Sequence, residues 1–64
     1  MLLNVKKLDE LLIADERSIA WLARQIGVEP RVMRDRRKNK SVKGITKIAD
    51  VLKTKPEKLI IWEE

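Results

Sequence analysis

The 64-residue chain contains no cysteine and no histidine. Without cysteine there can be no disulfide framework and no thiolate metal site; without histidine the commonest metal ligand and the usual general base are missing. Zinc fingers and histidine-dependent triads are thereby excluded, and neither a cofactor nor an enzymatic activity is expected. Phenylalanine and tyrosine are also absent, leaving Trp21 and Trp62 as the whole aromatic content. That is too little for an RNA-recognition sheet or an OB-fold platform, both of which stack bases on aromatic rings. No apolar run approaches the roughly 18 residues needed to span a bilayer, and no signal-peptide core is present, so a soluble cytoplasmic protein without a membrane partner is expected. A chain this short buries only about 60% of its unfolded surface, which implies one domain over residues 1–64 with an economical core.

What is present in excess is positive charge, and it is unevenly placed. The net charge is +5, yet residues 1–28 carry four basic and four acidic side chains. Residues 29–47 carry eight basic ones against Glu29 and Asp35, and residues 48–64 carry three against four. All the net positive charge therefore sits in the middle third. A charge run by itself equally describes a solvated face. Its coincidence with a helix that follows a tight turn points instead to a nucleic-acid surface.

That turn lies in SIAWLARQIGVEPRVMRDRRK, residues 18–38. Ile19, Leu22, Ala23 and Ile26 recur at i, i+3, i+4 and i+7, giving one apolar helix stripe that Ser18 is placed to cap. Gly27 is suited to the left-handed residue that closes a helix, and Val28 can then turn inward. Pro30 fits the first position of a new helix, with Glu29 held extended before it. In that second helix Val32 and Met33 are expected to face inward, while Arg31, Arg34, Asp35 and Lys38 share the opposite face. The planar guanidinium can bond guanine O6 and N7 bidentately, so Arg31 and Arg34 are the candidates for base reading. Asp35 either accepts from cytosine or orients Arg31 one turn away. Trp21 falls off the stripe: it is either a partly buried rim residue packed on the first helix or the C-terminal segment, or a backbone or dimer contact.

On either side the pattern stays helical. A first helix is expected over residues 4–15, capped by Asn4, with Val5, Leu8, Leu11 and Leu12 inward. A fourth is expected after a Ser41 cap, carrying Ile45, Ile48, Ala49 and Leu52 inward and Lys43 in its first turn, where the helix dipole disfavours a cation. Pro56 opens a short fifth helix bearing Leu59. The consecutive Ile60, Ile61 and Trp62 cannot all face inward, and an isologous dimer interface accounts for the excess. The expected core is Leu8, Leu12, Leu22, Ala23, Ile26, Val28, Met33, Ile45, Ile48, Ala49, Leu52 and Leu59.

Leu22-Ala23, Ile26-Gly27-Val28 and Met33, together with SVKGITKIADVLKTKPEKLI over residues 41–60, resemble the helix-turn-helix and following helices of phage-repressor and Cro-like (XRE-type) DNA-binding proteins. The resemblance covers about three quarters of the chain. It implies an all-α, lambda-repressor-like domain of about five short helices and a transcriptional regulator in a bacterial or phage-infected cell, acting by occupying an operator. Its partner would be duplex DNA, read as a palindrome by a homodimer that forms at about micromolar concentration or on the DNA. Arg17, Ser18, Lys38, Asn39, Lys40 and Lys43 would then meet the DNA backbone. The chain departs from the family at Arg36, where an apolar residue usually closes the core, at Arg37, where relatives often carry an acid, and at Pro30, where a polar base-reading side chain is common. Those departures favour a second reading, a protein-interaction module such as an adaptor, antirepressor or antitoxin on the same fold.

Overall fold

Helices account for most of the chain, and what closes them into one domain is a small sheet made from its two ends. In the computed structural model, which describes residues 1–62, β1 (Leu2–Leu3) is followed by α1 (Val5–Ala14), α2 (Ile19–Ile26), α3 (Pro30–Lys38) and α4 (Ile45–Val51). A single 3₁₀ turn (Pro56–Leu59) then leads into β2 (Ile60–Ile61). Local chemistry accounts for the starts of the first three helices. The Asn4 side chain accepts from the Lys7 N–H at 3.1 Å, the Ser18 hydroxyl accepts from the Trp21 N–H at 3.1 Å, and Pro30 opens α3 behind an extended Glu29.

The ends of the four helices share one device. Each closes through a left-handed residue: Glu16, Gly27, Lys40 and Lys53, with φ of 56°, 80°, 53° and 55°. After each, the next N–H reaches back to the last turn, as in Arg17 to Leu12 O at 2.8 Å and Ser41 to Arg36 O at 2.8 Å. Glycine occupies this position only once.

Four expectations are corrected. The fifth helix is one 3₁₀ turn, because after Leu59 the β-branched Ile60 and Ile61 become extended and pair antiparallel with β1, Leu2 opposite Ile61 and Leu3 opposite Ile60. The domain is therefore mostly helical rather than purely so. Ser41 does not cap α4. Its hydroxyl accepts from the Lys43 N–H at 3.2 Å in a turn, and the residue before α4 is Gly44 at φ 73°. Lys43 accordingly precedes the helix instead of occupying its first turn.

The core also shifts. Leu3 is fully buried, with Leu8, Leu12, Leu22, Ala23, Met33, Ile48, Ala49, Leu52 and Leu59. Ile26, Val28 and Ile45 are half-buried and pack against this cluster; Val32 is half-buried but is not part of it. Leu3 is pinned on both sides: its N–H donates to Lys40 O at 2.9 Å, and the next residue's N–H donates to Leu59 O at 2.8 Å. Of the three tail residues, Ile60 is half-buried, whereas Ile61 and Trp62 are exposed, Trp62 by 63%. Glu63 and Glu64, the end of the segment expected to dimerise, lie outside the described residues.

Candidate nucleic-acid interface

Helix α3 has nine residues and one fully buried anchor, Met33. At 100° per residue, Arg36 and Arg37 fall on the two flanks of Met33, and Arg31, Arg34, Asp35 and Lys38 span the opposite face. Burial follows this wheel: the four outward residues are exposed, and the two flanking arginines are half-buried.

The flanking arginines are used inside the molecule. Arg37 reaches α1, where Nε donates to Asp9 Oδ1 at 3.0 Å and Nη2 donates to Oδ2, a bidentate fork. Asp9 raises the Arg37 guanidinium above its ordinary value, first by the hydrogen bond and then by charge attraction, against slight desolvation. On the other flank, Arg36 runs towards the start of α4. A Cβ built on Gly44 would lie 3.1 Å from its Nη1, so the guanidinium stands close beside this glycine, whose φ of 73° is one that side chains rarely adopt. The aliphatic stems of both arginines flank the single apolar anchor, and the charged end of Arg37 ties α3 to α1.

The outward cations have no such ties. Among the described residues the Asp9–Arg37 pair is the only salt bridge, so the expected Arg31–Asp35 contact along α3 is not formed. Arg31, Arg34 and Lys38 stand exposed, and the chain continues through exposed Asn39, Lys40 and Lys43. Asn39 caps the C-terminus of α3. Lys40 is held there by its left-handed backbone and by its carbonyl's bond to Leu3. Lys43 joins Arg36 and Lys47 on a concavity of about 360 Å³.

Arg17 is placed elsewhere. Its guanidinium lies over the Trp21 ring, 4.6 Å from the centroid, in a separate concavity that includes Asp15 and Lys53. This gives Trp21 its surroundings: a half-buried ring packed on the core below and covered by arginine above. Ser18 is exposed and its hydroxyl oxygen already caps α2.

Sequence reasoning missed the Asp9–Arg37 fork because its members are 28 residues apart and nothing local connects them. The one available signal was an arginine standing where an apolar or acidic residue was expected. Compared with protein-family models, with curated proteins and with solved structures, the chain matches none.

Proposed function

We propose that the protein is a sequence-specific, duplex-DNA-binding transcriptional regulator of the repressor or Cro-like kind, with α2 and α3 acting as a helix-turn-helix. The observation that carries this reading is the division of the α3 arginines. Arg37 is paired with Asp9 and Arg36 lies half-buried on the other flank, while Arg31, Arg34 and Lys38 stand together on the outer face with Asp35 as the only acid. A helix carrying forked donors on a face that makes no packing contact is suited to the major groove. Arg31 and Arg34 would read bases, with Asp35 beside them, while Lys38, Asn39, Lys40 and Lys43 hold the flanking phosphates. Ser18 at the start of α2 offers a further backbone contact, and Arg17, stacked on Trp21, could reach a phosphate only from that rim.

Two such helices must be spaced by one turn of DNA, about 34 Å, to read a palindrome. The exposed Ile61 and Trp62, with the half-covered Ile60 beside them, supply the apolar patch through which two copies would associate. The adaptor or antirepressor reading drew its support from Arg36, Arg37 and Pro30; of these, Arg37 is paired with Asp9 and Pro30 opens α3, so two of the three have a role within the domain.

Selection from random duplexes at about 0.15 M salt tests the proposal directly, since salt governs the nonspecific component. A defined sequence preference is expected, and binding without preference, or no binding, refutes it. Arg31→Ala should relax the preference at one base step and cost about 1–3 kcal/mol, while Lys43→Ala should weaken all duplexes alike and lower the salt slope by about one.

A further inference from the structure

The concavity beside α4 combines two kinds of surface. Its floor is the half-buried, apolar Ile26 and Val28, and around them stand Arg36, Lys43, Lys47 and the Thr46 hydroxyl, with no acidic side chain in the lining. Among the described residues Arg36 has no hydrogen-bond or ion partner. Its guanidinium lies beside Gly44, 3.1 Å from where a Cβ on that residue would stand. The result is a forked donor without a partner and two lysines lining one concavity with half-buried hydrocarbon.

We propose that this concavity binds a small amphipathic anion, a phosphate or carboxylate head on an apolar body. The cations and the threonine hydroxyl complement the head; Ile26 and Val28 complement the body. A bare inorganic ion would use only half of the surface, leaving the apolar floor in water. The site shares Lys43 with the proposed DNA-backbone contacts but uses none of Arg31, Arg34 and Lys38, so it does not rest on base reading by the outer face of α3.

Amide NMR titration of the free 64-residue chain tests this with hexyl phosphate, inorganic phosphate and 1-hexanol. Hexyl phosphate is expected to shift the amides of Val28, Gly44, Thr46 and Lys47. It should bind roughly fourfold tighter than inorganic phosphate for each methylene that covers the floor. Lys43→Gln and Lys47→Gln, both at exposed positions that leave the fold intact, should each weaken it up to about fivefold. Val28→Thr should cut the advantage of hexyl over inorganic phosphate by about fourfold while leaving inorganic phosphate binding unchanged. Equal affinities for the two phosphates, indifference to both lysines, or shifts centred on Arg31, Arg34 and Lys38 would overturn the proposal. A duplex oligonucleotide is the fourth arm. If it shifts the same amides while hexyl phosphate shows no gain over inorganic phosphate, the occupant is the DNA backbone and the small-molecule site is refuted.

Discussion

Replacing Glu16 by glycine is expected to stabilise the domain, although it deletes a side chain and adds no contact. Glu16 closes α1 at φ 56°, a left-handed conformation that costs a residue with a Cβ about 1–2 kcal/mol. Glycine removes that cost but returns about 0.5–1 kcal/mol through the greater freedom of the unfolded chain. A second gain is electrostatic, because Glu16 sets a negative charge beside the negative end of the α1 dipole, worth about 0.3 kcal/mol at an exposed site. The sum is about 1 kcal/mol, or a rise of about 4–8 °C in Tm for a domain of this size. Lys53→Gly relieves the same backbone cost at α4, yet it removes a favourably placed cation, so its gain should be smaller. Gly27→Ala is the converse. The added Cβ meets nothing within 4 Å, so its expected loss of about 1 kcal/mol is a pure effect of φ 80°. Thermal and urea unfolding followed by far-UV circular dichroism measures all three, and high salt should shrink the gap between Glu16→Gly and Lys53→Gly. If Glu16→Gly destabilises, or Gly27→Ala is neutral, left-handed closure is not where this fold holds strain.

Leu3→Ala should cost about 2–5 kcal/mol, enough to unfold most of the population, because Leu3 is fully buried beneath the terminal sheet; an unchanged urea midpoint would show that the sheet is not part of the cooperative unit. The Asp9–Arg37 fork joins side chains 33% and 39% exposed, so a double-mutant cycle with Asp9→Asn and Arg37→Gln should return a coupling of at most about 1 kcal/mol. Since the folded pKa of Arg37 is raised, its contribution is fully present below the unfolded arginine pKa and is lost only above the folded one, so Arg37 should add no slope to stability between roughly pH 7 and 10; a slope there that vanishes in Arg37→Gln would contradict this. Trp62→Ala should leave the unfolding free energy within about 0.5 kcal/mol, given the exposure of the ring, while lowering self-association in sedimentation runs over a wide concentration range; unfolding instead would assign the ring to the core.

How far the chain could be read without its structure depended on sequence distance. Helices α1 to α3, their Asn4, Ser18 and Pro30 starts and the Gly27 turn were legible, because caps, stripes and glycine or proline breaks act over three or four residues. The inward placement of Leu8, Leu12, Leu22, Ala23, Met33, Ile48, Ala49, Leu52 and Leu59 followed from the same periodicity. So did the outward face of α3, since its wheel is a local property.

What remained was decided across the chain. Leu3 has no periodic context and becomes core only because Ile60 and Ile61, nearly sixty residues away, lie down beside it as a strand. Ser41 has the chemistry of a helix cap, but its N–H is drawn back to Arg36 by the closing turn of α3, which delays α4 until Gly44. Three of the four left-handed closures fall on glutamate or lysine, so no local preference could announce them. By itself the sequence determined that Arg36 and Arg37 are charged and stand where the resembled family carries an apolar residue and often an acid. Only the packing of α1 against α3 decided that Arg37 takes Asp9, since a guanidinium takes the carboxylate that tertiary structure brings within about 3 Å of it, and no such partner is brought to Arg36 among the described residues.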